Sequence, residues 1–90
     1  MTPSKTDANQ KEIVAALRKA GAFVQSLHTV GDGCADLLIR HRGLWIVKDV
    51  KAPKYLRWTD DQLVWWRKAG LEPEAIQSVE DALRIIGAVK

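Results

Sequence analysis

Asp36 and Asp49 stand on either side of Arg42-Gly43, a dipeptide flanked by two runs rich in branched aliphatic and aromatic residues. That pattern predicts a β-hairpin with a two-residue loop. His41 then pairs with Leu44, and counting back residue by residue sets Asp36 directly across from Asp49. Their Cβ atoms would lie about 4.5–5.5 Å apart on one face of the sheet. Lys51 projects from that same face, because side chains alternate with period two. Like charges opposed in this way destabilise a hairpin unless something neutralises them. A divalent cation would do so, and hard carboxylate oxygens suit magnesium. A lysine beside the cation can orient or help deprotonate a water, or stabilise charge developing on phosphorus. Two acids and a lysine on adjacent strands are therefore what a phosphodiester-cleaving site requires. The same residues can also form a plain surface ion cluster in which Lys51 pairs with both acids.

The elements that must hold these residues follow from the spacing of apolar positions. A first helix starts after Thr6 or Asp7, either of which can cap it, with Asp7 and Asn9 read as capping residues. Ile13, Ala16, Leu17 and Ala20 give it a buried stripe, and Gly21 ends it. Ala22 to His28 reads as a strand, VGDGCA as a loop, and Asp36–His41 and Leu44–Lys51 as the hairpin strands. Both hairpin strands are apolar on each face, as in covered central strands. Lys48 is the exception. It points to the face opposite Asp49, among Leu37, Ile39, Leu44, Ile46 and Val50, and must reach an edge or meet a partner. Thr59-Asp60-Asp61-Gln62 has the form of a capping box opening a second helix with a stripe of Leu63, Trp66 and Ala69, closed by Gly70. Glu74–Gln77 is a short strand, and Ser78 opens a last helix that stops at Gly87. The order is α-β-β-β-α-β-α, an α/β domain with helices packed on a mixed sheet.

With 90 residues there is room for one domain, and a chain this short buries only about 60–65% of the surface its unfolded form exposes. A partner chain is the expectation. Apolar residues at 47% and charged residues at 28% exclude a disordered tail. No apolar run approaches the ~20 residues of a membrane span, and no signal-peptide pattern opens the sequence. The single cysteine, Cys34, excludes an internal disulfide, and the expected compartment is a reducing cytoplasm. Net charge is only +3, but its placement is uneven. Arg40, Arg42, Lys48, Lys51, Lys54 and Arg57 are interrupted by one acid, Asp49, and interleaved with Trp45, Tyr55 and Trp58. Cations among aromatics suit a phosphate backbone with unstacked bases nearby. They equally suit a solvated strand edge and a loop whose aromatics reach back to the core.

Gly33-Cys34-Ala35-Asp36-Leu37-Leu38-Ile39, then Asp49-Val50-Lys51, then Gln62 in the following helix, resembles the PD-(D/E)xK nuclease superfamily. Within it the likeness is to small stand-alone VRR-NUC domains of phages and prophages. It extends from about Asp7 to Gly87 of a single domain spanning residues 1–90. The resemblance implies a restriction-endonuclease-like core and Mg²⁺- or Mn²⁺-dependent DNA cleavage. Asp36 and Asp49 would be metal ligands, the Val50 carbonyl would complete the metal shell, and Lys51 would act in catalysis. Ala35 stands where the family name has proline, and Asp49 where VRR-NUC domains usually carry the longer glutamate.

The family also places a metal-site acid on the first helix, where Glu12 lies at the rim of the buried face, about 100° from its centre. Glu12 is thus either a ligand or an ordinary solvent-facing acid. Gln62 faces the sheet and must be hydrogen-bonded. The capping box accounts for it locally, and the resemblance adds a place beside Lys51, water or phosphate. Trp65 lies off the apolar stripe, as a dimer contact or a DNA-stacking group. Asp32 reads as a turn residue. Neither His28 nor His41 has a companion at ligand spacing, although His28 can contact phosphate near the active-site loop. Cys34 has no histidine to activate it as a nucleophile.

Taken together these expectations describe a Mg²⁺-dependent endonuclease with Asp36, Asp49, Lys51 and Gln62 at its centre and Arg40, Arg42, Lys54, Tyr55, Arg57 and Trp58 on DNA. The branched or Holliday-junction substrate, the phage or prophage source and the bacterial host cytoplasm come from the resemblance. A homodimer would supply missing core and paired cuts. The alternatives are a monomeric flap nickase and a nuclease-fold module kept for DNA binding or assembly without catalysis.

Overall fold

The computed structural model describes residues 5–88. Its elements are α1 (Lys5–Lys19), β1 (Phe23–Ser26), β2 (Leu37–His41), β3 (Leu44–Val50), α2 (Asp60–Lys68), β4 (Ala75–Ile76) and α3 (Val79–Ile85). This is the order expected from the residue spacing. The four strands form one open mixed sheet in the order β1-β2-β3-β4. The first two pairings are antiparallel and the last is parallel. A parallel pair needs a crossover, and α2 supplies it.

Arg42 and Gly43 form the two-residue hairpin turn with positive φ angles of 52° and 82°. Both central residues of a type I′ turn need that sign. The turn sets the register from His41↔Leu44 to Leu37↔Lys48. The paired register stops there: Asp36 lies one residue outside β2, and its carboxylate meets β3 by accepting the Val50 N–H.

The core lies between one face of the sheet and the two outer helices. Ile13 and Leu17 of α1, Leu37 and Ile39 of β2, Val50, Ile76 and Ala82 are at or near zero exposure. Large aliphatic side chains sealed in this way each contribute roughly 1.5–3 kcal/mol. The cover is less complete than the apolar character of the hairpin suggests. Only Lys48–Val50 of β3 is buried, whereas Leu44 and Trp45 remain 71% and 54% exposed. The reason is geometric: β4 is two residues long and pairs only at Asp49 and Val50.

Readings on two helices are corrected, and one on β3 is met. Because α1 is already formed at Lys5, Thr6 and Asp7 lie inside the helix rather than capping it, and Asn9 is a buried interior residue. On α2 only Trp66 is buried, with Leu63 and Ala69 exposed, since the helix rests on the sheet through one large indole. Lys48 meets the partner it required, an ion pair with Glu74 just before β4.

Candidate active site

The loop entering β2 is shaped by backbone that few side chains tolerate. Gly31, Asp32 and Gly33 all have positive φ (74°, 55° and 78°), and the Cys34 N–H closes a turn onto the Gly31 carbonyl at 3.1 Å. Gly33 has a second constraint. A Cβ there would fall 2.2 Å from the Asp61 carbonyl oxygen and 2.7 Å from the Gln62 nitrogen. The missing side chain lets the first turn of α2 sit against the loop, bringing Gln62 to the end of β3.

At that end the two acids have different surroundings. Asp36 is half-buried, and its Oδ2 accepts the Val50 N–H at 2.8 Å. Asp49 is fully buried. Its Oδ2 accepts the Trp66 indole N–H at 3.0 Å, while Oδ1 is buried with no partner. Burial, reinforced by the adjacent Asp36, pushes the Asp49 carboxyl up to about 6 despite the opposing effects of Trp66 and Lys51. Burial and the same two carboxylates also raise the Cys34 thiol, which argues against a thiolate nucleophile.

Lys51 is held on three sides. Its Nζ donates to Gln62 Oε1 at 2.8 Å and lies 4.7 Å from the centre of the Trp58 ring. Its backbone carbonyl accepts from Asn9 Nδ2 at 2.9 Å, and the same amide group donates to the Gln77 carbonyl. Gln62 makes both contacts at once, since Oε1 also accepts the Thr59 N–H in the capping box. Bonded to a neutral amide rather than to a carboxylate, the ammonium has donors left for a ligand.

Glu12 does not join this group. It is exposed, and among the described residues no cluster of three or more His, Cys, Asp or Glu side chains is able to hold a metal. The buried stripe of α1 runs through Asn9, Ile13 and Leu17, which turns Glu12 toward solvent. The α1 face near Asp36 instead carries Gln10, which with Ser26, His28, Lys11 and Arg18 lines a cleft of about 600 Å³ ending at Asp36. His28 shares this cleft with Asp36, its Nδ1 hydrogen-bonded to the Ser26 hydroxyl at 3.0 Å.

The basic and aromatic residues divide between two places. Arg40 and Arg42 are exposed at the hairpin end. Lys54, Tyr55 and Arg57 are exposed on the loop after β3, where the Arg57 guanidinium lies 5.1 Å from the Tyr55 ring centre. Trp58 is half-buried, edge-on to Trp66 and under Lys51, so it serves as a wall of the site. Trp65 also packs edge-on against Trp66 rather than standing free.

Asn9 and Trp66 are the site residues that spacing alone missed. By spacing, Asn9 reads as a helix cap and Trp66 as part of an apolar stripe. The available signal was the indole N–H, which needs an acceptor when buried. No helix among the described residues is long and apolar enough to cross a membrane. No protein-family model matches the chain, and no curated protein or solved structure matches it either.

Proposed function

We propose that this chain is a Mg²⁺-dependent DNA endonuclease with a restriction-endonuclease-like core of the PD-(D/E)xK type. Its substrate is branched DNA such as a four-way junction, cut in the cytoplasm by a homodimer with one site per copy. The observation that carries this reading is the end of β3, where the Asp36 and Asp49 carboxylates are neighbours, the Lys51 ammonium is held by Gln62, and one buried oxygen of Asp49 has no protein partner.

The donor set suits the metal. Asp36, the unpartnered oxygen of Asp49 and the Val50 carbonyl are hard oxygens, and magnesium keeps several waters in such partial cages. Magnesium bound there would lower the pKa of a coordinated water and screen the scissile phosphate. The chain's own contribution is positional. Lys51, steered by Gln62, would present its ammonium to a non-bridging phosphate oxygen as the attacking oxygen bonds to phosphorus and the leaving oxygen departs. Trp58 and Trp66 exclude water from the back of the site, which strengthens these charges. Lys54, Tyr55 and Arg57, three to six residues beyond Lys51, lie where a strand leaving the site would meet cations and an aromatic face.

The test is cleavage of labelled duplex, single-stranded, flap and four-way-junction DNA with Mg²⁺ or Mn²⁺, alongside Lys51→Ala. Metal-dependent cutting that falls at least a hundredfold in the variant is expected, on the scale of losing one group aimed at developing charge. Tight DNA binding by both proteins with no cutting by either would overturn the reading and leave a binding module.

A further inference from the structure

The face of the sheet that bears Asp36 and Asp49 does not end at the carboxylates. Two residues further along each strand it carries Leu38 and Val47. Two residues beyond those it carries Arg40 and Trp45, with Phe23 in register across β1. Phe23, Arg40 and Trp45 thus form one row across three strands, about 13 Å from the acids at roughly 3.3 Å per residue. The row is preassembled and open. Phe23 and Trp45 are 51% and 54% exposed and meet edge to face at 6.0 Å, while the Arg40 guanidinium lies 5.3 Å from the Trp45 ring centre. Among the described residues Arg40 is in no salt bridge. Trp45 also borders a groove of about 210 Å³ lined by Leu38, Val47 and Leu71 together with the paired Lys48 and Glu74.

We infer that this row is a stacking platform for an unpaired nucleobase of the DNA strand that reaches the carboxylates. Its orientation toward the acids rests on the nuclease reading above, whereas base binding stands apart from it. Two exposed rings on a sheet offer π-faces that stack any base, and a guanidinium between them can hold the neighbouring phosphate. The distance suits about four stacked nucleotides at 3.4 Å each. Bases of an intact duplex have no free face to offer, so the platform selects DNA with frayed, splayed or branched ends. Charge argues against a second copy as the occupant. A two-fold contact centred on this row would set the Arg40 guanidinium of one copy against that of the other, whereas a phosphate complements it.

The experiment measures binding of the full chain to labelled single-stranded, splayed-arm and blunt duplex DNA in EDTA, with cleavage in Mg²⁺ scored separately. Trp45→Ala should weaken single-strand and splayed-arm binding about tenfold, the scale of one lost base stack. Blunt-duplex binding should change less than twofold, and Trp45→Phe should restore most of the loss. Arg40→Gln should lower the salt-dependence slope for single strands by roughly 0.7. Equal affinity of wild type and Trp45→Ala for all three DNAs would overturn the platform, even if both proteins cut. Sedimentation showing that Trp45→Ala dissolves a dimer without altering DNA binding would also overturn it, assigning the face to a second copy. Trp45-dependent single-strand binding by a protein that cuts nothing would support the platform while refuting the nuclease reading.

Discussion

Replacing Asp49 by asparagine should move stability and activity in opposite directions, and the sign follows from its surroundings. The carboxyl is fully buried, bonded through one oxygen only, and raised to about 6. A folded-state value above that of the unfolded chain means that the folded protein holds the proton more tightly. Below about pH 4 both states are protonated and the group contributes nothing. Between about pH 4 and 6 the unfolded chain releases this proton while the folded one keeps it, so metal-free protein loses stability across that range, and the loss is complete above it. Asp49→Asn removes that charge and keeps an acceptor for the Trp66 N–H. It should therefore be about 1–2 kcal/mol more stable than wild type at pH 8 without divalent metal, the gap closing toward pH 4. Thermal melts in EDTA across pH 4–8 check this, and a constant gap would place the cause elsewhere. DNA cleavage by the same variant should be abolished. That Asp36 and Asp49 come close was legible because the two-residue turn fixes the pairings back to Leu37↔Lys48, one residue short of both acids. The Asn9 bonds were not, since they join α1 to the carbonyls of Lys51 and Gln77, 42 and 68 residues away in sequence. No local pattern encodes such contacts, and the rim position of Glu12 likewise left a ligand and a solvent-facing acid both open, where the structure shows it exposed.

At the scale of elements, the placement of α2 depends on a glycine in another part of the chain. Gly31 and Gly33 share positive φ, but a Cβ at Gly31 would meet nothing within 4 Å. At Gly33 it would strike the backbone of Asp61 and Gln62, which cannot swing away as a flexible side chain can. Gly31→Ala should therefore cost only the strain of its backbone conformation, about 1–2 kcal/mol. Gly33→Ala adds displacement of the first turn of α2, which loosens Gln62 from Lys51. The expected result is a larger fall in melting temperature and at least a tenfold lower cleavage rate, against a near-wild-type rate for Gly31→Ala. Measured melts and initial rates for both variants check it; equal effects would mean that the close approach is unimportant. Element order and both downstream helix caps were readable in advance because Thr59, Ser78 and the terminal glycines act within a few residues of themselves. What eluded the apolar pattern was coverage. A helix resting on one tryptophan, beside a two-residue strand, leaves half of β3 bare while its composition still looks like that of a core strand.

For the whole molecule, the proposed site would make divalent metal a stability determinant for a small cooperative unit. At neutral pH metal-free protein carries a buried Asp49 next to Asp36, and repulsion between them is felt by the sheet as a unit because Asp36 also holds the Val50 N–H. A cation bound to the folded state alone stabilises it by about 2.7 kcal/mol when present at a hundred times its dissociation constant. In a domain of this size each kcal/mol is worth about 4–8 °C. Saturating Mg²⁺ at pH 8 should thus raise the melting temperature by about 10 °C or more, with less effect at pH 5, where a proton competes for Asp49. Asp36→Asn and Asp49→Asn should each remove most of the shift, and Lys51→Ala should retain it, since an ammonium is not a ligand. A shift of equal size in all four proteins would mean that the cation binds away from the end of β3. In that event the paired aspartates would owe their place to folding chemistry rather than to metal.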